Sequence, residues 1–262
     1  MTLKNILAYL LVPLVGLKQS IRNFRSLIQF YSDLSTLRKQ QEKSSTIFPI
    51  GKPYPCLADR YSESGTASGH YFHQDLLIAQ KISTNNPQVH VDIGSRVDGF
   101  IAHVASFREI EVFDIREFPQ NITNINHLKI DLMDDINDEL VEYCDSLSCL
   151  HALEHFGLGR YGDPVNFDGF LKGLENIKKI LKTEGKFYLS LPIGPQRIEF
   201  NAHRIFSVEY LLSLVSNEYK IDSFSYVDDN EYLFKNVELS NEEIYRNFGC
   251  NYGCGILELT KI

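Results

Sequence analysis

The segment Leu150–Phe156, which reads LHALEHF, holds the residue types in this chain most suited to chemistry. His151, Glu154 and His155 have the H-x-x-E-H spacing of one class of zinc peptidase. On a helix, positions i, i+3 and i+4 share a face, so the three side chains would converge on one ion. The same residues also fit an ordinary helix start with polar side chains in water, so the flanking elements decide between the two.

The flanking sequence argues against the peptidase. That class carries its motif inside a long helix, whereas here the motif directly follows Asp145–Leu150, which has the pattern of a buried strand. The glycine-rich stretch Phe156–Pro164 then ends any helix within a few residues. The cluster is therefore interpreted as part of a loop at the end of a strand.

Charge and cysteine content limit the class of protein. The net charge of the 262 residues is −8, but residues 1–43 carry +5 and the remainder carries −13. An acidic main body argues against a nucleic-acid binder, because no basic face is evident to neutralise phosphates. The five cysteines are too few and too scattered for a disulfide scaffold, which favours the reducing cytoplasm. Cys250 and Cys254 have no second matching pair, so they do not predict a zinc site.

The N-terminal segment combines an apolar run with a basic amphipathic pattern. Ile6–Leu17 is shorter than the roughly 20 residues that a spanning helix needs. Beyond it, apolar residues recur at helical spacing, with Arg22 and Arg25 beside them. This pattern fits either a helix packed on the main domain or an anchor lying on an anionic membrane surface through residues 1–43. An unchanged membrane fraction after deletion of residues 1–43 would reject the anchor.

Strand and helix patterns alternate from residue 70 onward. We divide the chain into an N-terminal amphipathic helical extension (1–45), a linker with a lid helix (46–88) and a main domain (89–262). Alternation of this kind predicts an α/β Rossmann-like, doubly wound and mostly parallel sheet of seven strands, with an antiparallel hairpin at one edge. The predicted strands begin near residues 89, 109, 127, 145, 185, 221 and 254.

Ligands of such sheets bind beyond the carboxyl ends of the strands, so the loop after the first strand is the first place to look. It reads VDIGSRVDG (residues 91–99), and Gly94 would let the backbone turn close to a ligand. Arg96 and Val97 stand where the glycines of the dinucleotide fingerprint would be, which counts against NAD or FAD. Asp114 ends the second strand, where a carboxylate suits two ribose hydroxyls, and Asp131 follows the third.

Several stretches resemble, in order, the motifs of class I S-adenosylmethionine-dependent methyltransferases. They are VDIGSRVDG, Asp114, Asp131, CDSLSCLHALEH and ILKTEGKFYLSLP. More narrowly, GHYFHQDL, SCLHALEHFGLGRYGDP, FNAHRIF and YGCGI resemble an uncharacterised domain-of-unknown-function family. That family occurs in nematodes and in bacterial surface-polysaccharide gene clusters.

The resemblance implies S-adenosylmethionine as the cofactor and assigns a part of it to each matching residue. Asp114 would bind the ribose and Asp131 the adenine edge, while His151 would flank the sulfonium together with the residue before it. The full set of implied cofactor-binding residues is Asp92, Gly94, Ser95, Asp114, Asp131 and Leu150.

The acceptor side of such a site lies just past the fourth strand. Neutral histidine is suited to deprotonating a hydroxyl near pH 7, which makes His151, next to the strand end, the preferred candidate base and His155 the second candidate. The ubiquinone-pathway O-methyltransferases hold a divalent metal with a similar Glu-x-x-Glu-His cluster, which makes Glu154 and His155 candidate metal ligands here. Candidate substrate contacts come from two polar loops on the same rim and are Arg160, Tyr161, Arg197, Asn201 and His203.

These patterns predict a cytoplasmic methyltransferase that O-methylates a saccharide or saccharide-linked precursor in surface polysaccharide biosynthesis. The substrate class comes from the family resemblance alone. The alternative is a non-catalytic module with the same fold that binds a glycan during polymer assembly. Arg96 in the glycine loop favours this alternative.

Overall fold

The computed structural model describes residues 3–62 and 64–262, with side chains from Ser20 onward. It divides into two compact units, Met1–Thr66 and Ala67–Ile262. The first unit contains the long helix α1 (Leu3–Gln41), followed by irregular chain with a single 3-10 turn at Asp59–Tyr61. Within this unit, Arg60 forms an ion pair with Asp33.

Helix α1 includes the predicted amphipathic segment. The side chains of Phe24, Ile28 and Tyr31 are each more than half exposed. The side chains of most of the apolar run Ile6–Leu17 lie outside the described residues. In the portion of the chain that is described, no helix combines the length and apolar character needed to cross a bilayer.

The second unit alternates strands and helices, as predicted. Its helices and strands are α2 (Gly69–Asn85), β1 (His90–Ile93), α3 (Ala102–Ala105), β2 (Ile110–Asp114), β3 (Ile125–Lys129), β4 (Cys144–Leu150), α4 (Gly169–Ile180), β5 (Leu181–Ile193), β6 (Arg197–Glu199), β7 (His203–Ile205), α5 (Val208–Val215), β8 (Tyr219–Val227), β9 (Leu233–Phe234), α6 (Asn241–Tyr245) and β10 (Gly253–Lys261).

The main sheet has the strand order β3-β2-β1-β4-β5-β10-β8-β9. The first five of these strands are parallel, and β10 pairs antiparallel with both β5 and β8. All seven predicted strands are present, and the two-residue β9 adds an eighth at the edge. The chain runs outward from β1 through β2 to β3 and then returns to β4. This reversal opens a crevice at the carboxyl ends of β1 and β4.

Helices cover both faces of the sheet and bury two apolar layers. One layer packs Ile78 and Ile82 of α2 and Phe100 against Ile110 and Tyr188 of the sheet. The opposite layer is built from α4, α5 and the other sheet face. In α4 the buried residues Phe170, Leu174, Ile177 and Ile180 recur three or four positions apart, which gives the helix one apolar stripe. Burial on both faces of β1 and β4 extends to their polar side chains, so that His90, Asp92, Ser146 and Ser148 are all buried.

The stretch Pro192–Phe206 departs from the prediction of an irregular loop. It contains β6 and β7, which pair as a two-stranded antiparallel hairpin separate from the main sheet. The alternation of polar and apolar residues is only three residues long in each strand, which is too short to distinguish from a loop in the sequence. The hairpin places its residues on the rim at the carboxyl edge of the main sheet.

Candidate functional site

A cavity follows the carboxyl edge of the sheet across β1, β2, β3 and β4. The predicted residues Gly94, Asp114 and Asp131 all line it, together with the apolar side chains of Leu132 and Met133. Gly94 has φ 72°, and a Cβ there would lie 3.1 Å from the Cβ of Ala152. Glycine therefore permits the left-handed turn and the close approach of this loop to the segment after β4. The structure thus brings together three residues that lie far apart in the sequence.

Asp92 lies beneath the cavity rather than on its wall. Its fully buried carboxylate accepts hydrogen bonds from the Ser95 amide and hydroxyl, each at 2.9 Å, and from the Ser148 hydroxyl at 2.5 Å. Burial raises the pKa of Asp92 to about 7, although these hydrogen bonds act in the opposite direction. In this arrangement Asp92 braces the glycine loop from below.

Two further predicted cofactor residues, Ser95 and Leu150, line a neighbouring cavity. This cavity measures about 220 Å³ and is also lined by Tyr71 and Gln74 of α2. Gln74 accepts a hydrogen bond from the Ser190 hydroxyl at 2.6 Å, which ties α2 to β5. The helix predicted as a lid therefore forms one wall beside the glycine loop.

Arg116 is hydrogen-bonded to the carboxylate of Asp114, which was predicted to bind ribose. Its guanidinium donates to both Asp114 oxygens, at 2.9 Å from Nε and 2.6 Å from the terminal nitrogen. The same group lies 4.6 Å from the centre of the Tyr161 ring. Arg116 lines both the cavity at Gly94, of about 60 Å³, and an adjacent open cleft of about 590 Å³. Ligand pockets commonly measure about 300–1,000 Å³, and Arg116 lies on the wall shared by the small cavity and the larger cleft.

The LHALEHF segment forms a turn rather than a helix face. His151 follows β4 with the left-handed φ of 51°, and Leu153–His155 is a single 3-10 turn. His151 Nδ1 lies 2.7 Å from a Glu154 carboxylate oxygen, and the same oxygen is 3.7 Å from His155 Nε2. The buried Glu154 carboxylate therefore sits between the two imidazoles. The single turn that follows β4 confirms the prediction that this segment is a loop at the end of a strand.

The two histidines differ in their charge. Burial opposes protonation of His151, but Cys254 and the Glu154 carboxylate outweigh it and raise the pKa of His151 to about 10. Burial lowers the pKa of His155, against the opposing charge of Glu154. His155 Nδ1 donates to the Ala202 carbonyl at 2.6 Å, which leaves the lone pair on Nε2. Both imidazoles line the cavity at Gly94.

The predicted metal candidates Glu154 and His155 lie close together without completing a metal site. Among the side chains described from residue 20 onward, no further Cys, His or acidic ligand atom forms a three-ligand cluster with this pair. The second carboxylate oxygen of Glu154 is buried and has no hydrogen-bond partner among the described atoms.

The glycine-rich loop places one of its two predicted substrate contacts on the cavity. Tyr161 lines the cavity, with its ring 5.4 Å from that of His155 in an edge-to-face arrangement. Arg160 donates to the Ala202 carbonyl at 3.0 Å and so links the loop to the β6–β7 hairpin. Asp163 accepts from the Gly159 amide at 3.0 Å and fixes the loop from within.

The hairpin places one predicted residue near the histidines and two elsewhere. His203 stacks on Tyr252, with 5.1 Å between ring centres, and lies 6.5 Å from the His155 ring. Arg197 instead pairs with Glu199 at 2.9 Å and lines a separate groove. Asn201 is exposed in the turn between the two strands.

Arg204 is an anchor whose role the sequence does not reveal. Its buried guanidinium donates to the carbonyls of Glu154, Phe156 and Phe167, at 3.3, 2.6 and 2.9 Å, and lies 4.8 Å from the Phe170 ring centre. One side chain thus ties both ends of the glycine-rich loop to the hairpin. In the sequence it is one of several charged residues in a polar stretch, and only its burial sets it apart.

The strand order and the cavity at the carboxyl edge define the fold of class I S-adenosylmethionine-dependent methyltransferases. The chain belongs to the family described as Caenorhabditis protein of unknown function, DUF268, whose model matches residues 97–248. This confirms the resemblance inferred from the sequence. The match does not include the Gly94 loop or β10, so those parts of the site rest on the geometry described above.

Two solved structures illustrate the likeness of fold. The 1,6-didemethyltoxoflavin-N1-methyltransferase of Burkholderia thailandensis, with 1,6-didemethyltoxoflavin and S-adenosylhomocysteine bound, is 14% identical with a TM-score of 0.51. The alignment covers 72% of this chain and 78% of that one. The [4+2]-cyclase SpnF is 12% identical with a TM-score of 0.51, over 76% of this chain and 85% of that one. No curated protein sequence matches the chain.

Proposed function

We propose that the protein is a cytoplasmic S-adenosylmethionine-dependent methyltransferase. The observation that carries the proposal is that Gly94, Asp114 and Asp131, from three different strand ends, line one cavity together with His155. Carboxylates at successive strand ends suit the hydroxyls and amine of a nucleoside, and apolar Leu132 and Met133 suit an adenine face. The residues present therefore fit the cofactor.

In this proposal, the chemistry that the bound cofactor supplies is an activated methyl group on a sulfonium. Asp114 accepts hydrogen bonds from ribose hydroxyls after Arg116 releases it. The Glu154–His155 pair acts on the acceptor. His155 Nε2 takes the proton of the acceptor hydroxyl, and the Glu154 oxygen at 3.7 Å stabilises the resulting imidazolium.

His155 is preferred to His151 as the base on geometric grounds. His155 Nδ1 is committed to the Ala202 carbonyl, so its Nε2 is free to accept a proton at the cavity. His151 Nδ1 is committed to Glu154, and His151 packs against His70, with 5.2 Å between the stacked rings. The two predicted bases therefore have different roles in the proposal.

Binding of S-adenosylhomocysteine, measured by calorimetry, tests the cofactor part of the proposal. We expect the wild-type chain to bind and Asp114→Ala to bind about 100-fold more weakly, because two hydrogen bonds to a charged group would be lost. Glu109→Ala, at the opposite end of the β2 region, is the matched control and should bind as the wild type does. If the wild-type chain does not bind S-adenosylhomocysteine at high protein concentration, the hypothesis that the protein is a methyltransferase is rejected.

The acceptor proposed is a hydroxyl of a saccharide or a saccharide-linked precursor of a surface polysaccharide. This substrate class is supported by the resemblance to a family found in surface-polysaccharide gene clusters. Polar residues at the rim, including Tyr161 and His203, are chemically suited to sugar hydroxyls. The proposed substrate class is therefore supported by analogy with that family and by the polarity of the rim.

Comparison of glycan precursors by mass, from cells with and without the gene, tests the reaction. We expect a shift of one methyl group that depends on the gene. His155→Gln should bind S-adenosylhomocysteine normally yet fail to restore the shift, because glutamine cannot take the proton. A methylated product in cells carrying His155→Gln would contradict the role of His155.

The second candidate function is a non-catalytic module of the same fold that binds a glycan during assembly. Arg96 favours it, because this residue stands in the second glycine position of the loop and pairs with Asp98 at 2.7 Å. Glycan binding by a chain that does not bind S-adenosylhomocysteine would support the module.

A further inference from the structure

Three metal-ligating side chains from distant parts of the sequence meet beside the cavity. They are His70 in the first turn of α2, His151 after β4, and Cys254 in β10. One ligand atom from each lies within 4.8 Å of the corresponding atoms of the other two. Among the described side chains of residues 20–62 and 64–262, this is the one group of three or more Cys, His or acidic side chains with such spacing.

His151 provides an independent observation that points to a ligand. Its side chain is only 4% exposed, and its Nε2 has no hydrogen-bond partner among the described atoms. An unpaired buried polar atom costs free energy unless something binds it. Because His151 Nδ1 is hydrogen-bonded to Glu154 at 2.7 Å, Nε2 is the ring nitrogen of His151 that can bind a metal.

The contact between Glu154 and His151 matches the surroundings of metal-bound histidines. Such histidines commonly donate their second ring nitrogen to a carboxylate, which fixes the tautomer and the ring orientation. Glu154 is buried in the same turn and holds the His151 ring in place. The cluster therefore has both a set of ligands and a carboxylate that orients one of them.

We propose that His70, His151 and Cys254 bind a zinc ion. One thiolate and two imidazoles form a donor set that suits Zn²⁺ better than the hard cations Mg²⁺ and Ca²⁺. Binding converts the Cys254 thiol to a zinc-bound thiolate and displaces the proton on His151 Nε2, and both protons pass to solvent while Nδ1–H stays hydrogen-bonded to Glu154. Three protein ligands leave a fourth tetrahedral position for water or a substrate oxygen.

The distances define the movement that binding requires. With Zn–S of about 2.3 Å and Zn–N of about 2.0–2.1 Å, tetrahedral donors lie roughly 3.3–3.6 Å apart. The cluster must therefore contract by up to about 1.5 Å from its 4.8 Å limit. His70 is the least buried ligand and lies at a helix end, so we assign the movement to it. Its ring is nearly parallel to that of His151, at 6°, and would tilt on binding.

The site is independent of the methyl-transfer proposal. The chain lacks a pair of CxxC motifs, and the partners of Cys254 come from two other elements, so cysteine spacing alone does not predict it. His151 also lines the cavity at Gly94, which places the metal at its edge. A zinc ion there would be available to an acceptor oxygen if the enzyme is active, and would join α2, β4 and β10 in either case.

Metal analysis of the purified full-length protein tests the site. We expect about one zinc per chain in the wild-type protein and its loss in Cys254→Ser and His70→Ala. Two matched controls lie close by: Cys250→Ser removes a buried free thiol four residues away, and His73→Ala removes a histidine one turn along α2. Both controls should retain zinc. Zinc retained in Cys254→Ser and His70→Ala would overturn the proposal.

Titration of zinc-free wild-type protein with Co²⁺ provides a second measurement that does not depend on the folding of the ligand variants. We expect a thiolate-to-cobalt charge-transfer band, also present in Cys250→Ser and displaced by zinc. A wild-type protein that is isolated without zinc and shows no such band would overturn the site. S-adenosylhomocysteine binding is measured on the same samples, so a failure of the cofactor proposal is recognised separately.

Discussion

Arg116 controls access to the carboxylate on which the cofactor proposal depends. Its guanidinium satisfies both oxygens of Asp114 and is stacked against Tyr161. A ribose can engage Asp114 only when these contacts break. The side chain of Arg116 is 47% exposed, so the ion pair is partly screened by water and modest in strength. Ribose binding at Asp114 must therefore overcome the small free energy of the Arg116–Asp114 ion pair.

Arg116→Ala should tighten the binding of S-adenosylhomocysteine by about two- to fivefold, which corresponds to removing a competing ion pair of about 0.5–1 kcal/mol. Calorimetry measures the effect. Arg108→Ala is the control, because Arg108 contacts the Gln88 carbonyl before β1 and lies away from the carboxyl edge. If Arg116→Ala weakens binding instead, Arg116 is a ligand contact and not a competitor.

At the scale of elements, the sequence predicted the sheet more completely than the site. The seven main strands followed from short segments rich in apolar residues that alternate along the chain with helical patterns. Gly94, Asp114 and Asp131 followed because the carboxyl ends of parallel strands meet at one edge. The β6–β7 hairpin was missed because each of its strands has only three residues.

The unpredicted parts of the site depend on contacts between distant elements. Arg116 and Arg204 resemble ordinary surface arginines in the sequence, and only the folded chain shows that they bind Asp114 and the loop carbonyls. His70 and Cys254 lie in GHYFHQDL and YGCGI, outside the matched residues 97–248, and the sequence gives no sign that both meet His151. Side-chain convergence of this kind is a property of tertiary packing.

At the scale of the whole molecule, His90 links stability to pH. It is buried in β1, with its two ring nitrogens 2.8 and 3.1 Å from the hydroxyls of Ser146 and Ser148. Burial, assisted by Arg108 and opposed by Asp145, lowers the pKa of His90 to about 3. An unfolded histidine titrates near pH 6.5, so between these values the unfolded chain binds a proton that the folded chain does not. This residue therefore makes the fold less stable as the pH falls from about 6.5 towards 3.

His90→Gln should remove that contribution, which amounts to at most about 1.4 kcal/mol per pH unit. Urea unfolding of both proteins at several pH values measures the difference in slope. Above about pH 7.5 the imidazole is neutral in both states, so the offset there gives the cost of the substitution itself. Equal slopes for the two proteins below about pH 6 would contradict the assignment to His90.

The anchoring of the glycine-rich loop has a consequence for how new specificities arise in this architecture. Arg204 holds the carbonyls at both ends of the loop, and the Asn166 amide donates to the Gly157 carbonyl at 3.0 Å, so the two ends meet. A Cβ on Gly157 would lie 2.0 Å from the Asn166 carbonyl oxygen, which restricts that position to glycine. Substitutions among the eight residues between these fixed ends, such as those of Arg160 and Tyr161, are therefore expected to change contacts at the cavity without displacing the sheet beneath.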